Sequence, residues 1–191
     1  MSYYKVGEIK ASFMAEPRPE ERGSGIPEAG FEGLVDLYGG QVLALALNIL
    51  GNREDAEDVI QEAFIQVYRN LAAYDPGRSL KTWIFTIVYR RCLDMLKKRR
   101  RFFAAYERAK HEMPLSSNPG PAAGPLPAEV LGGLSARERS ALSLWANEGY
   151  TAREISGVLA CSESTARVML FSARKKIKAL LENRYASLQN G

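Results

Sequence analysis

Apolar residues recur at helical spacing along most of this chain. Between residues 31 and 50, between 56 and 71 and between 83 and 96 they fall three and four positions apart, a spacing that favours amphipathic helices. Gly39-Gly40 interrupts the first pattern and predicts a break or a bend there. No stretch shows the strict alternation of a half-buried strand. The pattern therefore predicts an all-α protein.

Short polar segments mark where the predicted helices end. Gly51-Asn52 closes the first helix, and Asn52 is placed to cap the second. Asp75-Pro76-Gly77 predicts a turn, because proline fixes φ and glycine accepts a positive φ. Ser79 is then placed to cap a third helix. The first part of the chain is thus expected to form a small helical bundle.

A Pro-rich segment divides the chain into two modules. Five prolines and two glycines crowd residues 114–127, a composition typical of a semi-extended linker. The N-terminal residues carry few apolar side chains and predict a flexible arm. The predicted organisation is an arm (1–26), a first domain (27–110), the linker (111–128), a second domain (129–186) and a short tail (187–191).

The second module shows a helix-turn-helix pattern over residues 151–176. Ser135 with Glu138, and Thr151 with Glu154, form capping boxes that each precede an apolar helical pattern. A tight turn then leads to one further helix. In a helix-turn-helix the second helix enters the major groove by its N-terminal part, so the pattern indicates binding to duplex DNA.

Outward-facing residues of that second helix are candidates for DNA contacts. Arg167 can read a guanine edge and Phe171 a thymine methyl group, although Phe171 also fits a place in the core. Basic residues further along the helix suit phosphate contacts. The outward positions are Ser162, Glu163, Ser164, Arg167, Val168, Phe171, Arg174, Lys175 and Lys176.

Charge is divided between two blocks of the first module. Residues 28–75 hold nine acidic and two basic residues, whereas residues 78–110 hold eleven basic and two acidic residues. The whole chain carries a formal charge of only +4, which by itself does not indicate a nucleic-acid partner. Blocks of opposite sign predict two different partners for two faces.

Three interpretations compete for the acidic helix. Asp55, Asp58 and Glu62 lie on one face, opposite its apolar residues. They form a solvated face, a carboxylate metal site or a surface that docks on a basic protein. Carboxylate metal sites usually draw ligands from several helices, and no second cluster is at hand here.

Aromatic and basic residues are mixed in the third helix. Trp83 is either a core residue or a base-stacking residue beside Lys81, Thr82, Tyr89, Arg90 and Arg91. Rings interleaved with cations fit single-stranded DNA, where bases stack and phosphates meet positive charge. The five consecutive bases at residues 97–101 are either a solubilising helix end or the electrostatic footprint of nucleic acid.

Composition excludes several classes of function. His111 is the only histidine, so His-based metal sites and Ser-His-Asp triads have little to draw on. Cys92 and Cys161 are not spaced as C-x-x-C and are expected to be buried, reduced thiols. We predict no catalytic residue, no metal and no cofactor. No signal peptide or run of about 18 apolar residues is evident, so we expect a cytoplasmic protein.

Together these segments resemble the extracytoplasmic-function sigma factors of the sigma-70 family. Residues 55–64 (DAEDVIQEAF), residues 81–84 (KTWI) and the basic helix that follows are similar to sigma region 2. Residues 134–139 (LSARER), 165–167 (TAR) and 173–176 (ARKK) are similar to region 4. The resemblance covers residues 31–181 and leaves no room for a region 3 domain between the modules.

The resemblance implies a non-enzymatic subunit that gives RNA polymerase its promoter specificity. It implies a set of residues that binds the β′ clamp helices of core polymerase: Asp55, Asp58, Gln61 and Glu62. It implies a set that recognises and melts the −10 element: Tyr74, Arg78, Ser79, Lys81, Thr82, Trp83, Tyr89, Arg90, Arg91, Lys97 and Lys98. It implies a set that reads the −35 element: Ser162, Glu163, Ser164, Arg167, Phe171, Arg174 and Lys175. Its implied partners are core polymerase (including the β flap), promoter DNA and an anti-sigma factor, with no small-molecule substrate.

The sequence departs from the family pattern in the second module. Ala160 stands where the family's turn usually has glycine, Ala166 replaces a branched apolar residue, and Val168 and Met169 occupy positions where polar residues are common. The alternative function is a stand-alone helix-turn-helix regulator whose first domain dimerises or senses a signal. The acidic helix distinguishes the two, because a regulator has no need for it.

Overall fold

The computed structural model describes the chain over residues 30–109 and 128–189, with side chains for 30–106 and 130–182. Every regular element in these residues is helical, which confirms the all-α prediction. The arm (1–26) and nearly all of the predicted linker lie outside them. The elements are α1 (Gly30–Leu50), α2 (Arg53–Asn70), a 3₁₀ turn (Leu71–Ala73), α3 (Leu80–Ala109), α4 (Ala128–Gly132), α5 (Ala136–Glu148), α6 (Ala152–Leu159) and α7 (Glu163–Gln189).

The first helix is not broken at Gly39-Gly40: of the break or bend predicted there, the break does not occur. α1 continues through both glycines and ends at Leu50. Leu34, Val42 and Ile49 are fully buried on either side of the pair. Packing of an apolar helix face outweighs the weak helix propensity of two glycines.

The predicted caps hold the first module in place. The Asn52 side chain accepts a hydrogen bond of 2.9 Å from the backbone N–H of Asp55, and Ser79 Oγ accepts one of 3.2 Å from Thr82. The predicted turn at residues 75–77 also forms, since Asp75 Oδ1 accepts from the Gly77 N–H at 2.9 Å. The positive φ expected at Gly77 is absent, because that side-chain bond closes the turn instead.

Both predicted capping boxes form in the second module. Ser135 and Glu138 cap the start of α5, and Thr151 and Glu154 cap the start of α6. Two features were not predicted: the short helix α4, and the continuation of α7 to Gln189, which includes part of the segment expected to be a tail.

Ala160 closes α6 in a left-handed conformation, with φ of 51° and ψ of 52°. It is the one non-glycine residue with positive φ in the described part of the chain. Cβ of an L-residue crowds the following carbonyl there, at a cost of about 1–2 kcal/mol that glycine avoids. The substitution noted in the sequence therefore carries a local strain.

We expect Ala160→Gly to stabilise the second module. Removal of the strain outweighs the extra flexibility that glycine gives the unfolded chain, so the net gain is about 0.5–1 kcal/mol. Urea unfolding followed by circular dichroism measures it. Gly157→Ala, inside α6 and exposed, serves as a helix-propensity control. A lower stability of Ala160→Gly would contradict the strained conformation.

The two modules pack against each other around a shared core, which the sequence did not predict. Leu144, Tyr150 and Ile155 of the second module join the buried cluster that contains Phe85 and Ile49 of the first. A smaller cluster lies within the second module, formed by Leu134, Leu142, Ala173 and Ile177. Helices α1 and α3 thereby lie against α5 and α6.

Buried polar contacts join the two modules at this interface. Asn48 Nδ2 donates a 2.9 Å hydrogen bond to Ser143 Oγ, and both residues are buried. Lys81 Nζ lies 2.9 Å from Glu148 Oε2. The same ammonium lies 5.7 Å from the centroid of the Phe85 ring and 5.5 Å from that of Tyr150. Such a set specifies one arrangement of the two modules, since each buried polar group needs its partner.

Helix α1 is long and apolar enough to cross a membrane, judged by length and composition alone. Half of its most apolar stretch is buried inside the fold. Leu34, Val42 and Leu45 face the shared core. Helix α1 thus has the properties of a central core helix.

Both cysteines are free thiols. Cys92 is fully buried, and burial raises the pKa of its thiol to about 12. Cys161 is only half-buried, at the turn after α6, so the prediction of two buried thiols is confirmed for Cys92 and wrong for Cys161. The turn leaves that side chain partly open to solvent.

Candidate polymerase and nucleic-acid interfaces

The predicted polymerase-binding residues divide into two pairs by their contacts. Asp55 is half-buried and forms an ion pair with Arg99 of α3. Glu62 is exposed and lies 3.5 Å from Arg91, whose Nε donates a 3.0 Å hydrogen bond to Gln66. Helix α3 is thus tied to α2 at both ends of the acidic face.

Asp58 and Gln61 are exposed between those two ties. The acidic face therefore presents one carboxylate, Asp58, that needs no partner within the fold. In the described residues no group of three or more His, Cys, Asp or Glu side chains is placed to hold a metal ion. Asp55 and Glu62 pair with arginines and Asp58 faces solvent, and this arrangement favours a docking surface over the metal interpretation.

The loop before α3 is held rigidly around Tyr74. Tyr74 is buried, its hydroxyl donates a hydrogen bond to the Arg78 carbonyl, and its ring centroid lies 5.1 Å from that of Trp83. Burial raises the pKa of Tyr74, so the hydroxyl remains a donor. Tyr74 thus shapes the loop and supports Trp83, while Arg78 and Ser79 are exposed.

An open cavity of about 760 Å³ lies beside Trp83. Its volume falls in the range of small-ligand sites. The half-buried indole offers a stacking face, and the exposed Arg78 and Arg90 offer positive charge at the rim. The lining residues are Gln66, Asn70, Ala73, Arg78, Ser79, Thr82, Trp83, Thr86, Ile87, Arg90 and Gly157. Gly157 belongs to the second module, so α6 forms one wall of this cavity.

Three of the predicted −10 residues face the second module instead of solvent. Lys81 forms an ion pair with Glu148. Thr82 Cγ2 lies 3.9 Å from the point where a Cβ atom on Gly157 would lie. Tyr89 is 3% exposed. Burial raises the pKa of Tyr89, and Arg137 of α5 partly offsets this shift. The structure therefore buries Tyr89 and leaves Lys81 and Thr82 half-buried against the second module, with Thr82 also lining the cavity.

The basic end of α3 is open to solvent. Arg90 and Lys98 are exposed, whereas Arg91 is tied to α2 and Lys97 pairs with Asp94 at 3.1 Å. The exposed cations are therefore suited to phosphate contacts.

The recognition helix α7 presents its predicted outward residues. Phe171 is 68% exposed, so it is not a core residue. Ser162 Oγ caps the helix by accepting a 3.1 Å hydrogen bond from the Thr165 N–H, and Glu163 forms an ion pair with Arg167. Ser164 and Lys175 are exposed.

Two contacts from α5 fix the orientation of α7. The Arg174 guanidinium lies 4.9 Å from the centroid of the Trp145 ring. Glu138 accepts hydrogen bonds from Ser172 at 2.6 Å and from Lys176 at 2.8 Å, and also from the N–H of its capping partner Ser135. Lys176, predicted to face outward, is thus partly engaged with α5.

Glu138 gives the second module a defined acid sensitivity. Burial alone would raise its pKa, but the hydrogen bonds from Lys176, Ser172 and Ser135 outweigh burial and hold the pKa at about 2, below the ordinary 4.5. Because the pKa is lower in the folded protein than in the unfolded chain, the ionised carboxyl stabilises the fold at pH values above 4.5, by at most about 3 kcal/mol. This contribution is lost as pH falls from 4.5 toward 2.

We expect Glu138→Gln to be less stable than the wild type at pH 7 by about 2 kcal/mol, and to lose most of the pH dependence between 4.5 and 2. Urea unfolding at several pH values measures both effects. Glu182→Gln, at an exposed pair with Lys178, is the matched control and should leave the curve unchanged. If the free energies of unfolding of the wild type and of Glu138→Gln changed with pH in parallel, the proposed acid sensitivity of Glu138 would be contradicted.

Sequence reasoning missed the residues of the interface between the modules. Asn48, Ser143 and Glu148 carry its polar contacts. One signal was available: Asn48 stands inside a wholly apolar stretch of α1, and a buried amide needs a hydrogen-bond partner. The partner itself lies 95 residues away and could not be identified from the pattern.

Comparison with known families accounts for both modules. Residues 34–102 match the model of Sigma-70 region 2, and residues 128–177 match that of Sigma-70, region 4. The RNA polymerase sigma factor CnrH of Cupriavidus metallidurans is 30% identical, over 75% of this chain and 82% of its own. The ECF RNA polymerase sigma factor EcfG of Rhodopseudomonas palustris is 29% identical, over 72% and 77%. SigW of Bacillus subtilis, another ECF sigma factor, is 36% identical over 37% of each chain.

Solved structures show the same fold. The sigma factor RpoE, in complex with the anti-sigma factor NepR from Bartonella quintana, superposes with a TM-score of 0.66 at 22% identity, over 80% of this chain and 96% of its own. CnrH in complex with the cytosolic domain of CnrY gives 0.61 at 25% identity, over 82% and 90%. The chain therefore belongs to the sigma-70 family of RNA polymerase sigma factors, in the extracytoplasmic-function class. Its function is promoter-specific transcription initiation. Neither the family models nor the similar proteins favour a stand-alone regulator.

Proposed function

We propose that the exposed acidic face of α2 is where this sigma factor docks on the β′ clamp helices of core polymerase. Asp58, Gln61 and Glu62 would make the contact. Asp55 would act indirectly, because its ion pair with Arg99 holds α3 against α2. The exposed carboxylate of Asp58, which forms no ion pair among the residues that the structure describes, is the observation that carries this assignment.

We propose that the cavity beside Trp83 receives unpaired bases of the −10 element. The indole ring would stack on a base, and Arg78, Arg90 and Lys98 would meet phosphates. Tyr74 would position the loop and Trp83, because it is buried beneath them. Thr82 lines the same cavity, and Lys81 and Tyr89 would join the contact after the second module moves away from α3.

The −35 element would be read by the exposed face of α7. Arg167 and Phe171 would contact base edges, and Ser162, Ser164 and Lys175 would contact phosphates. Glu163 would hold Arg167 in place until DNA binds, since the two form an ion pair. Arg174, stacked on Trp145, would contact the backbone from a fixed position.

An anti-sigma factor and the β flap are proposed as further partners. The fold is similar to sigma factors solved in complex with NepR, an anti-sigma factor, and with the cytosolic domain of CnrY. We propose that the chain acts in the cytoplasm and has no catalytic chemistry of its own. RNA synthesis would belong to the polymerase, and this chain would supply promoter choice.

Transcription reconstituted from purified parts tests this function. Core polymerase with the chain, on a pool of genomic fragments, should start transcripts downstream of a shared pair of −10 and −35 sequences. Polymerase alone should not. A chain that binds DNA without polymerase, and leaves the transcripts unchanged, would instead be a helix-turn-helix regulator.

At the promoters found in this way, we expect Arg167→Ala to lower initiation about 10-fold and to relax sequence preference at one −35 base pair. Loss of one bidentate base contact costs about 1–3 kcal/mol. Lys178→Ala, also exposed on α7, is the control. If substitution of each −35 base changed initiation equally for Arg167→Ala and the wild type, base reading by Arg167 would be contradicted.

A further inference from the structure

An apolar patch continues the exposed face of α2 beyond its carboxylates. Ile65 is 50% and Tyr68 is 65% exposed, so neither contributes its full side chain to the core. Asp58, Gln61, Ile65 and Tyr68 follow one another at intervals of three, four and three residues, so they lie in one stripe along the helix. Large apolar side chains that lie next to each other on a surface mark an interaction site.

The patch lies where the described chain begins. Helix α1 starts at Gly30, and the ring of the next residue, Phe31, meets the Tyr68 ring at 73° with centroids 5.2 Å apart. The Phe31 ring also meets that of Phe64 edge-on, at 6.1 Å. Residues 1–29 therefore join the fold directly beside Tyr68.

The residues before Gly30 divide into two parts by composition. Most of their large apolar side chains are gathered in residues 3–14 (YYKVGEIKASFM), where Val6, Ile9 and Phe13 follow one another three and four positions apart. Residues 15–29 (AEPRPEERGSGIPEA) hold three prolines and two glycines, a composition typical of a tether. The chain thus carries an apolar segment on a tether that is attached beside an apolar patch.

The tether is long enough for residues 3–14 to reach the whole stripe. Tyr68 and Asp58 are ten residues apart on α2, a distance of about 15 Å. A tether of fifteen residues has a root-mean-square span of about 20 Å. Charge is also complementary, because residues 3–14 hold two lysines and one glutamate whereas the stripe ends in the exposed carboxylate of Asp58.

We propose that residues 3–14 dock on this stripe of α2, with their apolar side chains over Ile65 and Tyr68. A short tether gives the segment an effective concentration in the millimolar range, so a contact too weak to join separate molecules is sufficient. The consequence of docking rests on the proposed polymerase-binding function: the docked segment would cover Asp58 and compete with the β′ clamp helices.

Trypsin cleavage of the full-length chain tests the docking without polymerase. Lys10 lies inside the segment, and Arg22 lies in the tether as an internal reference. The ratio of the cleavage rates at Lys10 and Arg22, followed by mass spectrometry, is compared with the ratio in a synthetic peptide of residues 1–29. We expect the ratio to be at least about 10-fold lower in the chain, because a docked segment must open before it is cut.

Substitutions on both sides of the contact should remove this protection. Ile65→Ala with Tyr68→Ala should raise the ratio to that of the peptide, and Ile9→Ser with Phe13→Ser should do the same. Tyr68→Phe keeps the ring and should keep the protection. The exposed residues of α2 and the residues before Gly30 do not belong to the core, so thermal unfolding should be unchanged in each variant.

Leu37→Ala is the matched control. It removes an apolar side chain of 54% exposure from α1. Leu37 is six residues from Phe31, which places it on a different face of the helix. The cleavage ratio of Leu37→Ala should therefore equal that of the wild type.

Capture of core polymerase gives a second readout. Ile9→Ser with Phe13→Ser leaves α2 intact and should bind polymerase about 10-fold more tightly than the wild type, by the same factor as the protection that it loses. Unchanged capture beside an intact tryptic protection of the wild type would mean that polymerase docks elsewhere on the chain. That result would contradict the proposed polymerase-binding surface and leave the docking of residues 3–14 in place.

Three results would overturn the docking. One is an equal cleavage ratio in the wild type and in the peptide. Another is protection that survives Ile65→Ala with Tyr68→Ala, which would place the segment on a different surface. The third is an unprotected Lys10 together with weaker polymerase capture by Tyr68→Ala, which would assign the patch to polymerase.

Discussion

We expect Asp58→Lys to lose binding of core RNA polymerase while keeping the fold. Asp58 is exposed and belongs to no ion pair in the described residues, so its reversal removes nothing that stabilises the free protein. In the complex it would place a cation against the basic polymerase surface that this acidic face is proposed to meet. Like charges at an interface cost several kcal/mol, so the loss should exceed about 100-fold. Capture of core polymerase on the immobilised chain, read by densitometry, measures it.

A matched reversal controls for net charge. Glu182→Lys changes the charge equally, at an exposed site on α7, and should capture polymerase as the wild type does. Thermal unfolding should be the same for all three proteins. We expect Asp55→Lys, in contrast, to lower the melting temperature of the protein, because it breaks the ion pair with Arg99. Full capture by a folded Asp58→Lys protein would disprove the proposed docking surface.

The local elements could be predicted because their signals are local. Asn52, Ser79 and the two capping boxes act within three residues, and all formed as expected. The break predicted at the glycine pair in α1 did not occur because helix propensity is weak compared with burial. Burial depends on the rest of the fold. Gly77 misled because a carboxylate bond at 2.9 Å closed the turn without the positive φ.

The exposure of the predicted site residues could be inferred from the sequence more readily than their contacts. The pattern gave the exposed positions Asp58, Arg90 and Phe171. It could not show that Asp55 is engaged by Arg99, or that Tyr89 is covered by the second module, because both contacts join segments far apart in sequence. Hydrophobic periodicity shows which face of a helix is buried and leaves open what lies against it.

The largest conformational effect is expected from Glu148→Lys. The Glu148 side chain is 7% exposed and that of its partner Lys81 is 26% exposed, and reversal leaves two ammonium groups together at the interface. Breaking a buried pair by removal of one partner costs about 3–5 kcal/mol. Each module retains its own capped helices, so we expect the modules to separate rather than unfold. The radius of gyration from X-ray scattering should rise, and amide exchange should accelerate over residues 80–89 and 143–159.

A charge swap distinguishes separation from general damage. Lys81→Glu combined with Glu148→Lys restores an ion pair and should return the compact dimensions. Glu182→Lys, with the same change of charge at an exposed site, should stay compact throughout. Unchanged scattering and amide exchange in Glu148→Lys would mean that the apolar contacts alone keep the modules together.

Separation should also control DNA binding. Tyr89 cannot contact a strand while the second module covers it, and Lys81 is held by its ion pair with Glu148. If the closed arrangement is favoured by about 3 kcal/mol, fewer than about 1% of molecules are open, and the apparent affinity falls by the same factor. Glu148→Lys should therefore bind a −10 strand more tightly than the wild type, by at most about 100-fold, because Arg78, Trp83 and Arg90 can bind in the closed arrangement as well. Equal affinities would confine the −10 contacts to Arg78, Trp83 and Arg90, which are accessible in both arrangements.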